Sequence, residues 1–152
     1  MSRKIWFLTV VFFLLPLCAC APILGPSQER ATVTRVIDGD TIVIDTGQKV
    51  RYIGIDTPEI YPEREACGME AWGANRELVE GKEIILERDV SETDKYGRLL
   101  RYVYADNIFV NGELVRRGLA EARAYPPDTK HQEYMEGLEA VARETGRGIW
   151  AK

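Results

Sequence analysis

Short runs of β-branched and aromatic residues alternate with turn-forming residues through the first half of the chain. Val33, Val36, Ile42, Ile44, Val50, Tyr52, Ile53 and Ile55 fall in such runs, separated by Asp38-Gly39 and Thr46-Gly47, both hairpin-forming dipeptides. The pattern predicts a three-stranded meander over residues 31–55. A polar stretch from Glu59 to Glu65 then leads into Met69, Trp72, Leu78 and Val79 at near-helical spacing, so residues 66–80 read as an amphipathic helix ended by Gly81. Two more strands are expected at 84–86 and 99–104. A short helix follows at 111–117, closed by Gly118, and a longer one at 133–144 with Tyr134, Leu138 and Val141 on a shared face.

Five short strands with a helix between the third and fourth is the plan of an α+β, mainly β, oligonucleotide-binding-type Greek-key barrel. Such a fold does not by itself specify a function.

The first 30 residues stand apart from this pattern. Arg3 and Lys4 precede an apolar run from Ile5 to Leu17, broken only by Thr9 and Pro16, which reads as a signal peptide and is short for a membrane span. Leu17-Cys18-Ala19-Cys20 resembles a bacterial lipobox, so residues 1–19 are expected to be removed and Cys20 to be lipidated. A cut after Ala21 is the alternative, giving a secreted protein, but it would leave Pro22 after the scissile bond. Residues 20–30 then form a tether and 31–152 the folded domain, an envelope-anchored monomer.

Charge narrows the picture further. Cleavage before Cys20 removes Arg3 and Lys4 and no acidic residue, taking the net charge from −4 to −6. An acidic body argues against non-specific coating of duplexes and for a local basic site. With Cys18 removed and Cys20 acylated, Cys67 is left alone, which excludes an intramolecular disulfide.

The candidate chemistry lies in three stretches: Val36-Ile37-Asp38-Gly39-Asp40-Thr41, Asp56-Thr57-Pro58-Glu59 and Asp94-Lys95-Tyr96-Gly97-Arg98, with Arg51 between the first two. Each alone reads as an ordinary turn or strand exit. In a meander, however, the start of the second strand and the end of the third lie at one end of the sheet, so Asp40 meets Asp56. Paired carboxylates repel unless a cation lies between them, and calcium tolerates such irregular oxygen geometry, with magnesium and manganese as alternatives. Arg51, on a strand among apolar neighbours, needs an anion if it points inward. Oxygen ligands, a nearby glutamate and planar guanidinium groups suit metal-assisted cleavage of a phosphate ester.

Together with Leu114-Val115-Arg116-Arg117-Gly118-Leu119-Ala120, these motifs resemble the staphylococcal nuclease (thermonuclease) homologue family over residues 31–150. The resemblance implies a five-stranded barrel with three helices and calcium-dependent hydrolysis of DNA and RNA phosphodiesters, leaving 3′-phosphorylated products. It assigns Asp40, Asp56 and the Thr57 carbonyl to one calcium ion, and Glu59 to the attacking water. Arg51 and Arg98 fall to the reacting phosphate, Lys95 and Tyr96 to a terminal phosphate, and Tyr125 to the base. Tyr96 and Tyr125 would stack on exposed bases, which favours single-stranded substrate.

Two departures are visible. The segment from Gly118 to Tyr125 is one residue shorter than the family pattern, so Arg123 replaces one of two tyrosines. The loop over residues 60–68 is also shorter and carries Glu63, Arg64 and Glu65 in place of lysines. A competing reading is a non-catalytic single-stranded nucleic-acid-binding barrel; retention of Asp40, Arg51, Asp56, Glu59 and Arg98 argues against it. An envelope structural or adhesion lipoprotein would give no reason for this set. His131 reads as a cap or packing residue, Trp72 and Trp150 as packing residues, and Cys67 as an inert thiol.

Overall fold

The computed structural model describes residues 27–152. The expected signal peptide, Cys20 and all but the end of the expected tether lie outside the described residues. Strands β1 (Gln28–Val36), β2 (Thr41–Ile44) and β3 (Lys49–Tyr52) form the antiparallel meander. The first strand starts earlier than its apolar pattern suggests. Gln28, Glu29 and Arg30, three residues of the expected tether, pair with Glu87, Leu86 and Ile85 of β5 (Glu83–Glu87). Backbone hydrogen bonding and a Glu29–Arg101 ion pair of 3.0 Å hold this polar end, neither of which a hydrophobic pattern records.

Strand β1 serves two neighbours. Residues 28–32 pair with β5 and residues 33–36 with β2, across a register shift between Val33 and Arg35 that bends the strand. At the bend the Thr34 hydroxyl donates to the Val43 carbonyl at 3.1 Å. Strand β6 (Leu99–Ala105) runs antiparallel to β5 and parallel to β3, which closes the five-stranded barrel. Closure leaves these strands without a free edge. Inside lie Val33, Ile42, Val50, Tyr52, Leu86 and Val103, each almost fully buried. Burying an aliphatic side chain of this kind contributes about 1.5–3 kcal/mol.

Three helices cover the barrel ends. Helix α1 (Gly68–Val79) buries Ala71, Ala74, Asn75 and Leu78, whereas Met69, expected on the inner face, is exposed. Counting back from Leu78 by three and four reaches Asn75, Ala74 and Ala71, and these small side chains let the helix sit close. Gly81 ends it, with its amide donating to the Val33 carbonyl at 3.0 Å. Helix α2 (Val110–Arg116) packs on α3 (Gln132–Glu144). In α3 the buried residues are Gln132, Met135 and Ala142 with Leu138 beside them, while Tyr134 and Val141 are exposed. The tyrosine instead leans toward the Phe109 ring, 6.3 Å away.

Two short pairings had no signature in the hydrophobic pattern. One is the hairpin of β6 with β7 (Ile108–Phe109). The other joins β4 (Ile55–Asp56) to β8 (Glu121–Ala122), with Asp56 opposite Glu121. Two-residue strands are too short to show a period. Among the described residues no helix is long and apolar enough to cross a membrane.

Candidate active site

The meander register builds the centre of the site. Thr41 lies opposite Arg51, and the Tyr52 amide donates to the Asp40 carbonyl at 2.9 Å, so Asp40 sits beside Arg51. The chain then turns through Ile53 and Gly54 and returns Asp56 to the same end of the sheet. One guanidinium bridges the two carboxylates. Arg51 Nη2 donates to Asp56 Oδ1 at 2.9 Å, and Nη1 contacts Asp40 Oδ2 as an ion pair without hydrogen-bond direction.

Asp40 is nearly inaccessible, at 5% exposure, and its carboxylate is bonded on both oxygens. The Thr57 amide and hydroxyl both donate to Oδ2 at 3.0 Å, and the Thr41 hydroxyl donates to Oδ1 at 3.1 Å. Gly39 permits this approach: a Cβ there would fall 2.6 Å from Thr57 Oγ1. Burial pushes the Asp40 carboxyl up to about 7; the Arg51 charge and the Thr57 hydrogen bonds pull the other way, and Asp38 adds to the rise. A buried carboxylate raised this far gains most from a bound positive charge.

The donors here are carboxylate and threonine oxygens, which suit a hard cation such as calcium that keeps several waters. Among the described residues no group of three or more His, Cys, Asp and Glu side chains is placed to hold a metal ion. Asp40, Asp56 and Thr57 are the residues whose oxygens could hold a cation in this centre.

Glu59 follows three residues after Asp56 and is fixed through its backbone. Its amide donates to Glu65 Oε2 at 2.8 Å, and the Glu65 amide donates to the Glu59 carbonyl at 2.9 Å. Gly68 closes over the same carbonyl, where a Cβ would lie 2.7 Å away. The Glu59 carboxyl is raised above its ordinary value by partial burial, then by the charges of Asp38 and Asp56, with Arg51 opposing. A carboxylate shifted upward is a better proton acceptor.

Beside this centre opens a cavity of about 440 Å³. Arg51 and Arg98 line it together with Lys95, Tyr96 and Tyr125, so residues from three separated segments share one space. Arg98 is held within its own turn: its Nε donates to Asp94 Oδ2 at 2.7 Å, and its amide and that of Tyr96 donate to Oδ1. Lys95 and Arg98 both lie over the Tyr96 ring, at 5.0 and 5.5 Å from its centroid. Cations over an exposed ring offer charge and a stacking face at one place. Across the cavity, buried Asp128 accepts from the Val90 and Ser91 amides at 3.0 and 2.8 Å and so ties the two walls together.

The family model described as staphylococcal nuclease homologue matches residues 49–152. The chain belongs to this family. It is 37% identical over 131 residues to the thermonuclease of Staphylococcus hyicus, covering 82% of this chain and 78% of that protein. To the thermonuclease of Staphylococcus intermedius it is 37% identical over 142 residues, 84% of each. It is 42% identical over 131 residues to the endonuclease YncB of Bacillus subtilis (strain 168), covering 81% of this chain and 62% of that protein. The observed barrel with three helices is the architecture expected of the family.

Three residues around the site were not assigned these contacts from sequence. Asn75, fully buried on α1, accepts from the Tyr52 hydroxyl at 2.8 Å and donates to the Asp38 carbonyl at 3.0 Å. A polar residue three before Leu78 and four after Ala71, on an otherwise small and apolar face, was its visible signal. Glu65 braces Glu59, as described. Arg123, noted only as a replacement for tyrosine, contacts Asp56 Oδ2, an ion pair made by the β4–β8 pairing.

Proposed function

We propose that this protein is a calcium-dependent nuclease that hydrolyses phosphodiester bonds of DNA and RNA. The observation that carries the proposal is the Asp40–Arg51–Asp56 cluster opening onto a cavity that also holds Arg98, Lys95, Tyr96 and Tyr125. The names of its thermonuclease and endonuclease relatives favour the same activity.

In this reading the scissile phosphate lies between Arg51 and Arg98, whose guanidinium groups neutralise charge as it builds on the phosphoryl oxygens. Glu59 orients a water for in-line attack on phosphorus and takes its proton, helped by a carboxyl raised above its ordinary value. The bond to the 5′ oxygen breaks, that oxygen leaves as a hydroxyl with a proton from solvent, and a 3′-phosphate remains. Asp40, Asp56 and Thr57 would hold a calcium ion, which when bound would supply Lewis-acid charge to the phosphate. Lys95 and Tyr96 receive a terminal phosphate, and Tyr96 and Tyr125, both substantially exposed, stack on unpaired bases, which favours single-stranded substrate. Retention of all five reactive side chains separates this reading from a non-catalytic binding barrel.

The protein is further proposed to be a monomer exported to the cell envelope and held there by lipid on Cys20. Replacing Cys20 by alanine should release it from membranes; wild type already soluble outside the cell would exclude the anchor.

The activity is tested by incubating the purified protein with plasmid and single-stranded DNA, with calcium or with chelator, beside Glu59→Ser. Cutting should require calcium and fall at least about hundredfold in the variant, and end analysis should find 3′-phosphates. Full cutting in chelator, or undiminished cutting by Glu59→Ser, would overturn the mechanism.

A further inference from the structure

Arg123 occupies a place that the reaction above leaves unused. It follows β8, and its amide donates to the Gly54 carbonyl at 2.8 Å, which fixes its backbone alongside β4. From there its guanidinium reaches the Asp56 carboxylate on the side opposite Arg51 and lies 6.0 Å from the Tyr125 ring centroid. Its side chain remains 57% exposed.

Arg123 lines one cavity and lies beside Tyr125, which lines another. The larger holds Arg51, Arg98 and Tyr125. The second, of about 290 Å³, is lined by Asp56, Thr57, Glu65, Glu121, Arg123 and Ile149 among others, and Arg123 is its one basic lining residue. A polynucleotide crossing the Asp40–Asp56 centre from the first cavity would bring its neighbouring phosphate to this second groove. Without Arg123 that phosphate would face Asp56, Glu65 and Glu121 alone.

We propose that Arg123 is a substrate-binding residue that changes partners: it gives up its ion pair with Asp56 and turns to a flanking phosphate of the polynucleotide once a divalent cation engages Asp56. The exchange is easy on physical grounds. An exposed ion pair contributes little, and a cation on the carboxylate removes the charge that holds Arg123. The freed guanidinium presents a planar fork that matches phosphate oxygens in pairs. The Arg51 side chain is 14% exposed against 57% for Arg123, so the outer arginine is the freer of the two to exchange.

The inference rests on the cation and substrate assignments proposed above, and its test separates the two. Calcium affinity is measured by calorimetry without nucleic acid for wild type, Arg123→Gln and Asp40→Asn. Affinity for a labelled single-stranded oligonucleotide is then measured with calcium in a Glu59→Gln background, with and without Arg123→Gln, over a range of salt.

Arg123→Gln should bind calcium about threefold more tightly, because a competitor for Asp56 is gone. It should bind the oligonucleotide about five- to tenfold more weakly, with the slope of log affinity against log salt smaller by about 0.7. Arg123→Lys, which keeps the charge without the fork, should fall between. Unchanged or weaker calcium binding by Arg123→Gln, or unchanged oligonucleotide binding, overturns the exchange. If Asp40→Asn leaves calcium binding intact, the cation assignment itself has failed; if Asp40→Asn abolishes it while Arg123→Gln alters nothing, the failure belongs to Arg123 alone.

Discussion

The Asn75 side chain donates to the Asp38 carbonyl at 3.0 Å and accepts from the Tyr52 hydroxyl at 2.8 Å, so helix α1 is bonded both to the turn that leads to Asp40 and to strand β3. Asp38 begins the turn to Asp40, and Tyr52 follows Arg51. Asn75→Leu would leave a buried carbonyl and a buried hydroxyl without partners. The expected loss is about 2–4 kcal/mol of unfolding free energy by denaturant titration. Tyr52→Phe removes only one donor and should cost about 1 kcal/mol. If the double variant is no worse than Asn75→Leu, the two side chains act as one unit.

Gly39→Ala tests the close approach of Thr57 to Asp40. The added methyl would sit 2.6–2.8 Å from three Thr57 side-chain atoms, so that side chain must leave the Asp40 carboxylate. Calcium affinity should fall about tenfold or more, roughly the cost of disturbing groups that orient a metal ligand. Calorimetric titration reads it directly. Retained affinity would mean that Thr57 has no part in arranging the centre.

Glu65 is expected to act as a positioning residue for Glu59. Glu65→Ala removes the acceptor for the Glu59 amide, while Glu65→Gln keeps an oxygen able to accept it. Turnover should fall about tenfold in the alanine variant, with KM little changed, and should recover in large part in the glutamine variant. A change confined to KM would place Glu65 in substrate binding instead.

Acid stability should depend on Glu113 in α2. Two hydrogen bonds from Arg116, at 2.7 Å each, and one from Arg117 hold its carboxyl down at about 2, against the opposing effect of burial. Its folded value is below its ordinary value of 4.5, so the stabilisation is fully present above pH 4.5 and is lost as pH falls toward 2. Glu113→Gln should lower the melting temperature at pH 7 and flatten its decline over that interval. Thermal melts at stepped pH would show it; parallel curves for the two proteins would contradict the assignment.

Much of the barrel was readable because its strands are β-branched runs set between hairpin dipeptides, and the meeting of Asp40 with Asp56 followed from meander geometry once those strands were placed, whereas the bridging of the two by Arg51 did not. Helix faces were less legible. Tyr134 and Val141 share a stripe with Leu138 on paper, yet α3 turns Met135 and Ala142 inward, because a helix of mixed polarity leaves more than one face to choose from. Met69 misled for the same reason. Contacts made by strands of two residues, such as β4 with β8, depend on the whole chain having folded. The Arg123–Asp56 pair was therefore hidden even though both residues had been noted. Arg98 differs again: its motif was recognisable, but its hold on Asp94 is a property of the turn's conformation.

The early start of β1 sets a limit on how far the protein can be trimmed. Ser27 accepts from the Arg88 amide at 3.0 Å, and Gln28, Glu29 and Arg30 supply three rungs of the ladder to β5. A protease cutting just ahead of Ser27 would spare the Ser27–Arg88 bond and these three rungs. A cut at Ala31, where the apolar pattern begins, would strip half of β5 and release Arg101, a residue 5% exposed, from one of its two carboxylate partners. A cut that spares the β1–β5 ladder and one that removes most of it would then be separated by four residues of polar sequence.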